Sequence, residues 1–179
     1  MPTLAATATP DEREVLSAIY REHFAFVWRS LRRLGAPEHA LDDATQDVFL
    51  VAARRLDEFE RRSSVRTWLF GIAIRVVRTH RRTSWRHQRK VDALASANTD
   101  APAGDPMAQS DAQRLLLTLL DRLDDDKRAV YVLAELEGMT VVEIAEGLGA
   151  NVNTIYTRLR AARQQLRAAA AEHLEGATP

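Results

Sequence analysis

The stretch that decides the fold runs from Gly138 to Arg167 and reads GMTVVEIAEGLGANVNTIYTRLRAARQQLR. Thr140 and Glu143 have the Thr-x-x-Glu spacing of a capping box, which predicts that a helix starts here. Gly149 suits the left-handed conformation that often ends a helix, and Asn151 is a suitable N-cap for the next one. The segment is therefore predicted to form two helices joined by a tight turn.

The second of these helices has two different sides. Its apolar residues Ile155, Leu159, Ala162 and Leu166 recur every three or four positions and form one stripe. The opposite side carries the candidate DNA contacts Asn153, Thr154, Tyr156, Thr157, Arg158, Arg160 and Arg163. Side chains of these types reach phosphates and base edges in a major groove, so we predict a DNA-binding helix-turn-helix. A purely structural helical hairpin is the alternative, and it does not explain the arginines and threonines on the exposed side.

Apolar residues recur at helical spacing almost throughout the chain, which predicts an all-α protein. The first helix is expected from about Pro10 to Leu34, with the apolar stripe Val15, Ile19, Val27, Leu31 and Leu34. A second is expected from about Glu38 to Leu56, and a third begins after Ser63 and Ser64, one of which caps it. Two more precede the helix-turn-helix, at about Asp111–Leu123 and Asp126–Glu137, the latter capped by the run that begins at Asp124.

Residues 93–110 read ALASANTDAPAGDPMAQS and differ from the rest of the chain. The segment is rich in Ala, Ser, Asp and Pro and has no aromatic residue, so it is predicted to be a flexible linker. We therefore expect two small helical domains, at 11–90 and 111–172, joined by a linker at 91–110. The ends, 1–10 and 173–179, are expected to be disordered.

A net charge of zero conceals an uneven distribution. Residues 61–90 hold ten Lys and Arg and no Asp or Glu, whereas residues 91–126 hold eight Asp and two Arg. A basic block of this length favours a polyanionic partner. A solvated helix face is the alternative, although such faces usually mix both signs.

Composition excludes several function classes. The chain has no cysteine, and its five histidines are dispersed, so we expect no metal site, no cofactor and no catalytic residues. An enzyme built on a helical bundle is thereby disfavoured. Neither a membrane span nor a signal peptide is apparent, so we expect a cytoplasmic protein without membrane insertion.

Several segments resemble the extracytoplasmic-function (ECF) group of bacterial RNA polymerase sigma factors. Residues 42–50, DDATQDVFL, resemble the D-x-x-Q-[DE]-[VT]-F-[LI] signature of sigma region 2, and residues 63–69, SSVRTWL, resemble the S-x-x-T-W-L that follows it. Residues 123–130, 136–145 and 154–163 resemble region 4. Members of this group contain regions 2 and 4 joined by a linker, and the motifs occur here in that order.

The resemblance implies a role for each domain. Region 2 would bind core RNA polymerase through Asp43, Gln46, Asp47 and Leu50, which share one helical face. Its basic helix would contact the −10 promoter element through Arg66, Arg75, Arg78, Arg81, Arg82 and Arg86. The second helix of the helix-turn-helix would read the −35 element. Trp68 and Phe70 are candidates for stacking on unpaired bases, although the apolar stripe favours a core position for Trp68.

The implied function is promoter recognition by a non-enzymatic sigma factor, with core polymerase, promoter DNA and in many relatives an anti-sigma factor as partners. Arg75 and Thr79 stand where the family often has Asn and Asp, so the promoter sequence does not carry over. The alternative function is a helix-turn-helix repressor or activator that acts without core polymerase. It would account for the helix-turn-helix but not for the region 2 signature.

Overall fold

The computed structural model describes residues 10–57, 59, 64–92 and 111–176. Regular structure within these ranges is entirely helical, which confirms the predicted fold class. The elements are α1 (Pro10–Arg33), a 3₁₀ turn (Glu38–Ala40), α2 (Leu41–Arg54), α3 (Val65–Asp92), α4 (Asp111–Leu120), α5 (Asp125–Tyr131), a π-helical segment (Val132–Leu136), α6 (Val141–Leu148) and α7 (Val152–Gly176). The predicted linker at 93–110 lies outside the described residues.

The first domain is a bundle of α1, α2 and α3. Helix α1 ends where Gly35 takes a φ of 89°, which lets the amide of Ala36 donate to the carbonyl of Leu31 at 3.0 Å. The core contains Val27 and Leu31 from α1, Val48 from α2, and Leu69, Phe70, Ile72, Ala73, Val76 and Val77 from α3. Val15 is 43% exposed, so the predicted apolar stripe of α1 becomes part of the core only from Ile19 onward.

Helix α3 begins as predicted, because Ser64 Oγ accepts a hydrogen bond from the amide of Thr67 at 3.2 Å. Two of its aromatic residues, Trp68 and Phe70, pack into the first domain. Phe70 is fully buried, and half-buried Trp68 packs on Phe59 with ring centroids 4.8 Å apart. Burial of Phe70 excludes it from base stacking in this conformation.

The second domain consists of α4 to α7. Ile155, Leu159, Ala162 and Leu166 form the predicted buried stripe of α7 and face Leu120, Val130, Leu133 and Ile144 in one core. Asp124 caps α5 as predicted, accepting from the amide of Lys127 at 2.9 Å. Helix α7 continues through Gly176, beyond position 172.

Candidate nucleic-acid interface

The helix-turn-helix is built from α6, Gly149 and α7. Thr140 Oγ1 accepts from the amide of Glu143 at 3.3 Å, and Glu143 Oε2 accepts from the amide of Thr140 at 2.8 Å, which confirms the capping box. Hydrogen bonds from the Thr140 hydroxyl and amide hold the pKa of Glu143 below its ordinary value. Gly149 has a φ of 61°, and Asn151 Oδ1 accepts from the amide of Asn153 at 2.8 Å.

These local bonds fix the direction in which α7 leaves the turn. With its apolar stripe buried, the helix presents Asn153, Thr154, Tyr156, Thr157, Arg160 and Arg163 to solvent, with Arg158 half-buried. Tyr156 is 57% exposed, which is unusual for a large aromatic side chain without a partner surface. The exposed side therefore has the shape and chemistry of a recognition helix.

Two of the arginines on α7 are already paired with carboxylates. Arg158 Nη2 lies 2.6 Å from Oδ2 of Asp126, and Arg163 Nη2 lies 2.6 Å from Oε1 of Glu135. Both acids lie on other elements of the same domain, on α5 and the π-helical segment. Sequence reasoning predicted the arginines but not their acidic partners.

The basic helix α3 is amphipathic, and its predicted DNA contacts fall into three groups. Arg75 is exposed. Arg66 and Arg78 are paired with acids of the second domain: Arg66 Nη2 lies 2.6 Å from Glu137 Oε2, and Arg78 Nη2 lies 2.5 Å from Asp126 Oδ1. The remaining three candidates lie on α3, but their side chains are outside the described part of the chain; they are Arg81, Arg82 and Arg86.

The predicted polymerase contacts form one face of α2. Asp43, Gln46 and Asp47 are exposed and Leu50 is half-buried beside them. Asp47 Oδ2 lies 2.9 Å from Nε2 of His80 on α3. This face is therefore accessible, and one of its carboxylates is oriented by the basic helix.

A groove next to this face was not predicted from the sequence. It encloses about 480 Å³ and is lined by Tyr20, Phe24, Asp42, Gln46, Phe49 and Leu50. The ring of Tyr20 packs between those of Phe24 and Phe49, with centroids 5.2 and 4.8 Å apart. Tyr20 and Phe24 lie four residues apart on α1, outside its buried stripe, and that spacing is the sequence signal that identifies them.

The described residues contain neither a metal-binding cluster nor a membrane-spanning helix. No group of three or more His, Cys, Asp or Glu among them is placed to hold a metal ion. None of the helices in the described ranges is long and apolar enough to cross a membrane.

Comparison with known proteins assigns both domains. Residues 19–87 match the family described as Sigma-70 region 2, and residues 113–166 match the family described as Sigma-70, region 4. The ECF RNA polymerase sigma factor SigC of Mycobacterium tuberculosis is 30% identical over 168 residues, which cover 91% of this chain and 87% of SigC. The chain belongs to the ECF-type sigma-70 family. As a sigma factor it directs promoter recognition by RNA polymerase and is not an enzyme.

Other relatives agree with this assignment. The sigma factor CnrH of Cupriavidus metallidurans is 30% identical over 179 residues, covering 92% of this sigma factor and 91% of CnrH. A solved structure of CnrH with the cytosolic domain of CnrY superposes with a TM-score of 0.66 at 25% identity and covers 93% of this chain and 91% of that one. The sigma factor RpoE, solved with the anti-sigma factor NepR from Bartonella quintana, shares the fold with a TM-score of 0.65 at 22% identity over 89% and 96% of the two chains. A repressor or activator acting without polymerase does not account for the region 2 match.

Proposed function

We propose that this sigma factor divides promoter recognition between its two domains. Region 2, at 11–90, binds core polymerase and the −10 element, and region 4, at 111–172, reads the −35 element. The residues proposed for core polymerase are Asp43, Gln46, Asp47 and Leu50. Those proposed for the −10 element are Arg66, Arg75, Arg78, Arg81, Arg82 and Arg86, and those for the −35 element are Asn153, Thr154, Tyr156, Thr157, Arg158, Arg160 and Arg163.

The observation that carries this proposal is the exposed side of α7. The buried apolar stripe of α7, the Asn151 side chain that caps its start and the left-handed Gly149 together hold six exposed polar, aromatic and basic residues in a fixed orientation. An α-helix presented in this way fits the width of a major groove. Arginine on such a helix contacts guanine through two hydrogen bonds, which contributes discrimination between bases.

The polymerase contact is proposed to extend from α2 into the groove lined by Tyr20 and Phe24. Exposed carboxylates beside an apolar groove suit a reversible protein interface, since the apolar part supplies affinity and the charges supply orientation. A helix with basic and apolar residues on one side would fit both parts. Tyr20 and Phe24 thereby join the proposed contact set.

Core polymerase is proposed to supply the DNA affinity that the sigma factor lacks when it is alone. The charge of the basic block at 61–90 is offset by acidic residues elsewhere in the chain, so the affinity of the free chain for DNA is expected to be low. When polymerase holds both domains over one promoter, binding of the first element raises the effective concentration of the second. We therefore expect weak DNA binding by the free chain and tight, promoter-specific binding by the holoenzyme.

The proposed place of action is the cytoplasm, together with core polymerase. An anti-sigma factor is a further proposed partner, because RpoE, which shares the fold, was solved with the anti-sigma factor NepR.

A matched pair of arginine variants tests the recognition helix. Arg160 is exposed on the proposed DNA side, whereas Arg122 lies in the turn after α4, where its carbonyl oxygen is 3.4 Å from Gln165 Nε2. Arg122 is therefore next to Gln165, which lies twelve positions, or about 18 Å along α7, from Asn153 on the proposed DNA side. Arg160→Ala should weaken the binding of holoenzyme to a promoter fragment by about 1–3 kcal/mol. The fragment is chosen by mapping the transcripts that the sigma factor initiates with core polymerase. Arg122→Ala should change this binding little, and equal losses from the two variants would refute the assignment.

A second pair tests the polymerase face. Gln46→Ala combined with Leu50→Ala should lower affinity for purified core polymerase at least 10-fold. Glu38→Ala, an exposed change in the turn before α2, should leave that affinity unchanged. Wild-type affinity in the double variant, with its circular dichroism intact, would remove this face from the interface.

A further inference from the structure

Arg163 lies at the border of the exposed side of the recognition helix. It follows the buried Leu159 by four positions and the exposed Arg160 by three, so it stands where the buried stripe of α7 meets the side proposed to face DNA. The middle of such an exposed side points at base edges, whereas its borders face the phosphates that line the groove. The position of Arg163 therefore fits a contact with the phosphate backbone.

Glu135 holds Arg163 by one edge of its guanidinium. Nε and Nη2 of Arg163 both donate to Oε1 of Glu135, at 2.9 and 2.6 Å. Hydrogen bonds between charged groups are stronger than those between neutral groups, and two of them on one edge fix the plane of the guanidinium. The other edge, formed by Nη1 and Nη2, can donate to a second oxygen acceptor. A phosphate is the acceptor that an arginine at this border is expected to meet.

The π-helical segment places Glu135 beside α7. The amide of Glu137 donates to the carbonyl of Val132, five residues back, at 3.0 Å, which gives this turn its π-helical width. Val132 and Leu133 are fully buried, so the core fixes the wider turn. Turns of this kind are rare and are found frequently at functional sites. The backbone from which the Glu135 carboxylate extends is therefore held in place by the core.

The ion pair is partly exposed, and this favours a role in binding over a role in stability. The side chain of Arg163 is 50% exposed and that of Glu135 is 34% exposed. Ion pairs with this much solvent contact contribute little to the free energy of unfolding. The same exposure leaves the guanidinium accessible to DNA. The effect of Glu135 is therefore expected in DNA binding.

We propose that Glu135 is a specificity-determining residue for promoter recognition, because it orients Arg163 toward a phosphate of the −35 element. This inference rests on the proposed function, which assigns Arg163 to that element. Glu135 is a positioning residue, which acts through Arg163. A guanidinium in one fixed orientation donates to a phosphate only when the duplex lies in the right register on α7. That register decides which base edges meet the exposed residues of the helix.

The same carboxylate lowers the affinity for DNA of any sequence. Its negative charge offsets that of Arg163, so the pair displaces fewer counterions from DNA than an arginine alone. Without this partner, the flexible side chain of Arg163 would contact phosphates in many registers. Specificity is a difference between two affinities, so a residue that weakens generic binding more than promoter binding increases it. Removal of Glu135 is therefore expected to raise binding to unrelated DNA and to reduce discrimination.

Variants of the full-length chain, each assembled with core polymerase, test this inference. Glu135→Ala should raise affinity for a mixed-sequence duplex about 3-fold, with a steeper dependence on salt. It should lower the ratio of promoter affinity to mixed-sequence affinity by about 5-fold or more. Glu135→Gln keeps an oxygen acceptor without the charge and should lower the ratio less.

Glu172→Ala is the matched control. It removes the same charge from an exposed position of α7 that lies about 14 Å along the helix from Arg163. This distance exceeds the Debye length of about 10 Å at 0.1 M salt, so the variant should change the affinity ratio by less than about 2-fold. Urea denaturation of each variant checks that the fold is intact.

A double-mutant cycle shows whether Glu135 acts through Arg163. In the Arg163→Ala background, Glu135→Ala should change the affinity ratio by less than about 2-fold, because the group that Glu135 orients is gone. A loss of the same size in both backgrounds would overturn the inference. So would an unchanged ratio in both Glu135 variants, or an equal loss in Glu172→Ala. Failure of the proposed function is distinguishable: Arg163→Ala alone would then bind the promoter with wild-type affinity, and this result would overturn both.

Discussion

Ile155 fixes the recognition helix to its domain, and its truncation should be among the most destabilising changes in region 4. The side chain is fully buried. Ile155→Ala removes three carbon groups, worth about 0.8 kcal/mol each in transfer free energy, or roughly 2.4 kcal/mol together. The cavity left behind adds to this, so we expect a loss of about 3–4 kcal/mol in the free energy of unfolding. Urea denaturation followed by far-ultraviolet circular dichroism measures it.

Two companion variants make this prediction quantitative. Ile155→Val removes one carbon group and should cost about 1 kcal/mol. Thr154→Ala changes the exposed neighbour and should stay within about 0.5 kcal/mol of the wild type. If Ile155→Ala were no more destabilising than Thr154→Ala, the apolar stripe would not be the core contact of α7, and the orientation of its exposed side would lose its basis.

Three further predictions concern the helix ends. Gly149→Ala should lower the free energy of unfolding by about 1 kcal/mol, because residue 149 has a φ of 61°, and Gly149→Asn should lower it less. Unchanged stability of Gly149→Ala would contradict this. Ser64→Ala should cost about 1 kcal/mol and Ser64→Thr much less; equal urea midpoints would argue against the cap. Hydrogen bonds hold the pKa of Asp124 below 3.8 and the pKa of Glu143 below 4.5. The stability that each ionised carboxylate adds to the folded protein is therefore present above these values and is lost as the pH falls through its lowered pKa. The difference in unfolding free energy between the wild type and either Asp124→Ala or Glu143→Gln should become smaller at acid pH. A difference that does not change with pH would contradict this prediction.

The sequence predicts the helix ends well because they depend on neighbouring residues. The capping box of Thr140 and Glu143, the left-handed Gly149 and the cap at Ser64 each involve positions within a few residues of one another. The buried stripe of α7 follows from helical periodicity for the same reason. Such features need no knowledge of how the domains pack.

Contacts between distant residues were not predictable in this way. Arg66 and Arg78 were identified as DNA contacts from the basic block, but their partners Glu137 and Asp126 lie 71 and 48 positions away. Nothing local distinguishes an acid that pairs across domains from one that is solvated. The 43% exposure of Val15 likewise depends on how the helices pack, which the period of a single helix does not reveal.

The most direct test of the account is to map transcription start sites on genomic DNA with purified core polymerase, with and without this chain. We predict a new set of start sites that share sequence elements at the −10 and −35 spacing, and their loss with Arg160→Ala but not with Arg122→Ala. An unchanged set of start sites after addition of the protein would contradict the account.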